Sequence, residues 1–159
     1  MRCKYLDHQI NVRTDGQYRL CCMSLEPEND YNIKTHTPQE WHDSDFHRKT
    51  REQMERGEWP DACTRCEQME KQGLTSQRLK LKAYGPGLSH LDLRLGNSCN
   101  LKCISCWHMS SSSIAEEAIA MQKEGITPLH GILDVPNFNW SSEETFDKLL
   151  ELPIQEVYF

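Results

Sequence analysis

The 159-residue sequence lacks any long apolar run and any excess of basic residues. No stretch approaches the roughly 20 consecutive apolar residues that span a bilayer. Residues 1–7 carry no apolar segment of the kind that opens a signal peptide. We therefore expect a cytoplasmic protein that makes no membrane contact. The net charge of -6 and the pI near 5.6 argue against general nucleic-acid binding.

Apolar side chains are also scarce, because hydrophobic residues make up only 37% of the chain and the mean hydropathy is -0.73. Such a composition is low for one well-packed core, so we expect metal or covalent cross-links to assist folding. Cysteine is the exception, with eight residues. In a reducing compartment, thiols at short spacings indicate metal ligands before disulfides.

Local patterns in the first half predict a hairpin followed by helices. Residues 10–22 alternate around an Asp15-Gly16 turn, which is typical of a β-hairpin. A capping box from Thr37 to Glu40 begins a helix or helix pair that runs to Gly57, with a possible break at residues 43–45. Residues 63–72 form a further helix, which Gly73 ends.

A cluster of helix and strand breakers at residues 84–87 predicts a domain boundary. It gives a domain over 1–84, a linker over 85–89 and a second domain over 90–159. The second domain has a strand at 90–95, a helix at 110–124, a helix begun by a capping box at 141–144, and a strand at 154–159. This order is typical of a βα unit in a parallel sheet or barrel. Because two strands cannot complete such a sheet, we expect this chain to be part of a longer protein.

Three cysteines lie in one short run between the predicted strand and helix, at Cys99, Cys103 and Cys106. Three soft thiolates in one loop favour an iron–sulfur cluster or zinc over hard cations. The set is one protein ligand short of four, which leaves a position for another molecule. Zinc is the alternative, with His108 as the fourth ligand. The spacing favours the cluster, because zinc thiolates more often come as two separated pairs.

Residues 93–106, Leu-Arg-Leu-Gly-Asn-Ser-Cys-Asn-Leu-Lys-Cys-Ile-Ser-Cys, resemble the signature loop of the radical S-adenosylmethionine (radical SAM) superfamily. The resemblance implies that Cys99, Cys103 and Cys106 ligate a 4Fe–4S cluster whose open iron binds S-adenosylmethionine. It implies reductive cleavage of that cofactor to a 5′-deoxyadenosyl radical, which abstracts hydrogen from a substrate. It also implies an electron donor such as flavodoxin or ferredoxin. In one departure from the family, Ser105 stands where an aromatic residue is usual, and Trp107 follows the last cysteine instead.

A second set of thiols is predicted from Cys3, Cys21, Cys63 and Cys66. Cys63 and Cys66 open a helix one turn apart, where the helix N-terminus favours thiolate charge. Four thiolates from a hairpin and a helix start make a closed site for zinc or for an iron–sulfur cluster. Cys22 is left over, and we predict a buried free thiol on the strand face opposite Cys21, with an alternate ligand as the lesser possibility.

The same segment resembles the twitch domain, a shortened relative of the SPASM domain. The resemblance rests on a cysteine, a Gly16-x4-Cys21 hairpin, a helical stretch with Trp41, and Cys63-x2-Cys66. It implies an auxiliary 4Fe–4S cluster, with zinc as the alternative. The twitch domain normally follows the radical domain, whereas here it comes first.

The expected fold is thus a small α+β twitch-like domain followed by the start of an α/β partial (βα) barrel of radical SAM type. The expected function is that of a radical SAM enzyme fragment, inactive or feeble alone, in which no residue is assigned a catalytic role. Relatives with auxiliary clusters act on peptides or proteins, and others on small molecules or sugars, so the substrate stays unknown. The alternative is a non-catalytic zinc or iron–sulfur module for binding or electron transfer.

Other polar residues are assigned no function. The basic residues Arg78, Lys80 and Lys82 alternate, which is typical of a solvated face. Histidines 8, 36, 42, 47, 90 and 130 are expected at the surface or in ordinary packing.

Overall fold

A computed structural model describes residues 1–81, 87–127 and 138–159. Within these residues the chain forms one small mixed α/β arrangement around a four-stranded sheet. Its strands are β1 (Gln9–Val12), β2 (Tyr18–Arg19), β3 (His90–Leu93) and β4 (Glu156–Tyr158). Its α-helices are α1 (Lys4–His8), α2 (Pro38–His42), α3 (Asp45–Glu55), α4 (Thr64–Lys71), α5 (Ser112–Lys123) and α6 (Glu143–Leu150).

The strands lie in the order β2-β1-β3-β4. β1 and β2 are antiparallel, and the turn between them confirms the predicted hairpin. Asp15 and Gly16 make that turn, with Gly16 at a φ of 85° and the Asp15 carboxylate accepting from the Gln17 amide at 3.0 Å. The return strand is shorter than predicted, because residues 21–24 already form a turn closed by the Ser24 hydroxyl and Cys21.

β3 pairs in parallel with β4, as the strand–helix–strand order predicts. β3 also pairs in parallel with β1, placing Gln9 opposite His90 and Val12 opposite Leu93. No local pattern in the sequence indicates this pairing between the two halves. The sheet therefore continues across the predicted domain boundary. Residues 82–86, which carry most of that boundary and part of the linker, lie outside the described residues.

The caps of the helices follow the sequence closely. Thr37 and Glu40 form the predicted capping box at α2, and Ser44 caps α3, so the helix pair breaks at the predicted place. The predicted box from Ser141 to Glu144 is wrong by one residue. Ser142 caps α6 and pairs with Thr145, because the Thr145 hydroxyl reaches back to the Ser142 amide at 2.9 Å.

The two faces of the sheet differ in chemistry because side chains alternate along each strand. One face carries the buried apolar residues Ile10, Val12, Leu91 and Leu93, which belong to the core cluster. The other face carries Gln9, Asn11, His90 and Asp92 in matching register. The first face builds the core, and the second is a polar surface inside the molecule.

Trp140 ties the two halves together beside the sheet. Its side chain is 1% exposed, and its indole nitrogen donates to the Arg13 carbonyl at 2.9 Å and the Arg94 carbonyl at 2.6 Å. These carbonyls directly follow β1 and β3, so one side chain holds the ends of both strands. No helix within the described ranges is long and apolar enough to cross a membrane.

Candidate metal centres

The first set of cysteines comes together around one pocket. Cys3 directly precedes α1, Cys21 follows β2, Cys63 precedes α4, and Cys66 lies in the first turn of α4. All four line the same pocket. A hydrogen bond from the Leu25 amide to the Ala62 carbonyl at 2.9 Å holds the turn after β2 against the segment that carries Cys63.

Burial favours the protonated form of the Cys3, Cys21 and Cys63 thiols by raising their pKa. Cys3 and Cys66 are each 7% exposed, and Cys21 and Cys63 are half-buried. Burial raises the pKa of the Cys3 and Cys21 thiols, and burial with the neighbouring Cys3 and Cys66 raises the pKa of Cys63 to about 12. A metal must therefore displace protons from this site when it binds.

Among the described residues that line this pocket, Arg78 is the one with a positive charge. The sequence pattern predicts a solvent-exposed position for it. Arg78 lines the pocket, its guanidinium sits 5.2 Å from the centre of the Trp59 ring, and Glu70 holds it by two hydrogen bonds of 2.5 and 2.7 Å. The assignment to a solvated face was therefore wrong for Arg78, whose side chain is only 14% exposed. Lys80 is exposed as predicted, and Lys82 lies outside the described residues.

The donor chemistry of this pocket fits a thiophilic metal. It combines four thiols with an apolar wall that includes Leu20, Met54 and Ala62. The cavity measures about 20 Å³, room for about one water molecule. A single ion fits that space, whereas a four-iron cube would need a larger cavity. Within the described ranges, no three His, Cys, Asp or Glu side chains already stand in a metal-ligating arrangement.

The second set lies on the loop between β3 and α5. Cys103 is exposed, and Cys99 and Cys106 are half-buried. The Cys106 amide donates to the Cys103 carbonyl at 2.9 Å, so these two residues share one turn. Soft thiols that project from an accessible loop suit a cluster with an open ligand position.

The start of α5 anchors this loop. The Ser112 hydroxyl bonds both the amide and the carbonyl of Cys99 at 3.1 Å. Ser111 caps α5 by accepting from the Ile114 amide, and its hydroxyl also donates to the Leu101 carbonyl at 2.8 Å. The structure confirms the helix predicted at 110–124, which begins at Ser112, but the sequence did not indicate these bonds to the cysteine loop.

Gly96 and Asn97, which precede the loop, make close contacts that explain why these two residue types stand there. Gly96 packs against the Phe138 carbonyl so closely that a Cβ atom would collide with that oxygen. The Asn97 side chain accepts from the Phe138 amide at 2.7 Å, while the Asn97 carbonyl accepts from the Ser112 amide at 2.8 Å. Together these contacts fix where the loop leaves the sheet.

Two aromatic residues, Trp107 and His108, directly follow the last loop cysteine. Trp107 is 47% exposed, and its indole nitrogen donates to the Ser110 hydroxyl at 2.9 Å. His108, the fourth ligand of the zinc alternative, is buried, and its ring centre lies 5.4 Å from that of Trp107. The exposed Trp107 is available to a ligand bound at the loop.

Cys22 is separated from its neighbour Cys21. Cys21 lines the thiol pocket, whereas Cys22 lines a second cavity on the polar face of the sheet. The two side chains therefore point to different sides, as predicted. They diverge because the chain turns here, and not because they alternate along a strand, since β2 ends at Arg19.

Several histidines have specific partners that the sequence did not indicate. Arg51 reaches His42 at 2.8 Å and His47 at 2.9 Å, and His90 lies 2.6 Å from the Glu156 carboxylate across β3 and β4. His130 lies outside the described residues. These contacts support packing roles for the histidines that have them.

Comparison with known proteins identifies no relative: no family model, no curated protein and no solved structure matches the chain.

Proposed function

We propose that this chain belongs to a radical SAM enzyme with an auxiliary metal site. In this proposal Cys99, Cys103 and Cys106 hold a 4Fe–4S cluster that binds S-adenosylmethionine. Cys3, Cys21, Cys63 and Cys66 hold the auxiliary 4Fe–4S cluster. The fold in which they act is a twitch-like domain joined to the start of a partial (βα) barrel.

One observation carries the proposal. Seven of the eight cysteines divide spatially as they divide in the sequence, into three on an accessible loop and four around a separate buried pocket, and Cys22 belongs to neither set. A set that is short of one ligand favours binding of a further molecule, and a set of four favours a closed site. The loop also directly follows a strand with parallel neighbours, the position from which such a loop faces an active site.

The chain's own residues have distinct tasks in this proposal. Ser111, Ser112 and Asn97 hold the loop, so that its thiols keep their spacing. Arg78 supplies a positive charge beside the buried pocket and offsets part of the thiolate charge there. The bound cluster at the loop supplies the electron for reductive cleavage of S-adenosylmethionine.

The surroundings of the reaction are proposed on the same basis. The protein acts in the cytoplasm, receives electrons from a donor such as flavodoxin or ferredoxin, and modifies a substrate that is a peptide, a protein or a smaller molecule. The loop thiols require a reducing compartment, because oxidation to disulfides would remove the ligands.

The second candidate function is a non-catalytic zinc or iron–sulfur module. The size of the buried pocket favours it, since about 20 Å³ suits one ion better than a cube. In this case the four cysteines around the pocket act only as a structural cross-link.

Anaerobic reconstitution of matched variants tests whether the two cysteine sets hold separate iron–sulfur clusters, as the radical SAM proposal requires. We expect the wild type to take up iron and sulfide, and both Cys103→Ala and Cys63→Ala to lose about half of the iron, each from a different site, as expected for ligand loss at independent clusters. Cys22→Ala is the control and keeps the full amount. If electron paramagnetic resonance spectra show that Cys103→Ala and Cys63→Ala lose the same cluster, the assignment of two sites fails. Uptake of zinc without visible absorbance favours the non-catalytic module.

A further inference from the structure

A second cavity lies on the polar face of the sheet, on the other side of Tyr5 from the thiol pocket. Its volume is about 440 Å³, within the usual size range of small-molecule sites. None of the seven proposed ligand cysteines is among its lining residues. Both halves of the chain contribute to it, with Gln9, Cys22 and Lys80 from the first and Asp92, Glu156 and Tyr158 from the second.

The floor of this cavity contains one buried polar side chain, Gln9, with an atom to which the described residues supply no partner. Gln9 is 2% exposed, and its side-chain oxygen Oε1 accepts no hydrogen bond from the described residues. On the same strand face, Asn11 is 3% exposed and its Nδ2 also lacks a partner there. Buried polar groups are rarely left unpaired, because each costs free energy unless a ligand or water completes it. Gln9 therefore marks a position where a hydrogen-bond donor belongs.

The charges around this floor favour a cation. Asp92 lies on β3, in the register position opposite Asn11, and Glu156 lies on β4. Glu156 is held in place on both oxygens, by His90 at 2.6 Å and by the Tyr158 hydroxyl at 2.6 Å. The lining residues include one lysine, Lys80, which is exposed at the rim. Among the described lining residues, the carboxylates of Asp92 and Glu156 thus face the cavity beside one ammonium group, and Glu156 already pairs with His90.

We propose that this cavity binds a small organic cation that carries an ammonium or guanidinium group. The N–H groups of the ligand donate to Gln9 Oε1 and to the Asp92 carboxylate, and Glu156 adds negative potential. Charge-assisted hydrogen bonds of this kind are stronger than neutral ones and select cations over anions. The site does not depend on the metal centres, so it stands or falls separately from the proposed function.

Calorimetric titration of the reduced full chain with agmatine tests this site, because agmatine carries both an ammonium and a guanidinium group. We expect saturable binding at one site per chain at physiological salt, and no binding of the dianion succinate. Asp92→Asn removes the charge with little change of shape and should weaken binding at least tenfold, since it removes a charged hydrogen-bond partner. Glu116→Gln removes the same charge from an exposed position on α5 and should leave binding unchanged.

Cys22 supplies a second measurement that needs no variant. It lines the cavity and is half-buried, so a bound cation should slow its alkylation by iodoacetamide, followed by peptide mass spectrometry. We expect protection by agmatine and none by succinate. Absence of saturable binding overturns the proposal. It is also overturned if Asp92→Asn and Glu116→Gln weaken binding equally, because attraction to the net negative charge then explains the whole effect.

Discussion

Replacing Trp140 with phenylalanine should destabilise the fold strongly, because this side chain links the two halves of the chain. The indole nitrogen donates to carbonyls after β1 and β3, and the ring is almost fully buried. Phenylalanine keeps an aromatic ring but has no N–H group, so the bridge is lost while the side chain stays apolar.

The magnitude follows from three contributions. Loss of the hydrogen bond costs about 1 kcal/mol, and the Arg94 carbonyl left without this donor costs about 1 kcal/mol more. The Arg13 carbonyl keeps its bond from the Gly16 amide at 2.9 Å, so it adds little. The smaller ring leaves a void worth roughly 1–2 kcal/mol. We expect the free energy of unfolding to fall by about 3–4 kcal/mol, a large part of the ~5–15 kcal/mol typical of a domain.

Urea denaturation followed by far-ultraviolet circular dichroism measures this change without relying on tryptophan fluorescence. Trp107→Phe is the matched control, since it removes the same group from a half-exposed indole bonded only to the Ser110 hydroxyl. The control should change stability by no more than about 0.5 kcal/mol. If the two variants lose equal stability, Trp140 does not join the halves as described.

The remaining predictions concern stability at three other positions. Burial, with His42 and Arg51 nearby, lowers the pKa of His47 to about 3. Between pH 6.5 and pH 3, His47 is therefore protonated in the unfolded chain but stays neutral in the folded chain. Stability should therefore fall as the pH drops from 6.5 towards 3, by roughly 2 kcal/mol at pH 5, and His47→Gln should flatten that slope in urea titrations; an unchanged slope contradicts the assignment. Gly16→Ala should destabilise more than Gly57→Ala in thermal unfolding, because both have positive φ but only Gly16 would place its Cβ 2.8 Å from the Asn32 side chain; equal losses would show that the contact does not matter.

The local structure could be predicted from sequence wherever a single side chain determines a turn or a helix cap. Gly16 supplies the positive φ of the hairpin turn, and Thr37 caps α2 with its own hydroxyl. The cap of α6 was missed by one residue because Ser141 and Ser142 offer the same hydroxyl, and only the Thr145 contact chooses between them. The short α1 was missed because its cap position, Cys3, makes no side-chain capping bond.

Pairings distant in sequence could not be predicted in the same way. The parallel pairing of β1 with β3 depends on packing between residues about eighty positions apart, and no local pattern records it. Arg78 was assigned to solvent because its neighbours alternate in charge, whereas its position depends on Glu70 and Trp59. The two groups of cysteines were distinguishable by spacing alone, but the polar cavity beside Cys22 required the assembled sheet.

Electron paramagnetic resonance tests the central proposal most directly. The proposal is that the loop cysteines hold a cluster that binds S-adenosylmethionine. The measurement compares the reconstituted, reduced wild type with and without S-adenosylmethionine, beside Cys103→Ala. We predict that S-adenosylmethionine changes the signal of one of two clusters in the wild type and changes nothing in the variant. A wild-type spectrum unaffected by S-adenosylmethionine, or a protein that holds zinc and gives no cluster signal, would contradict the account.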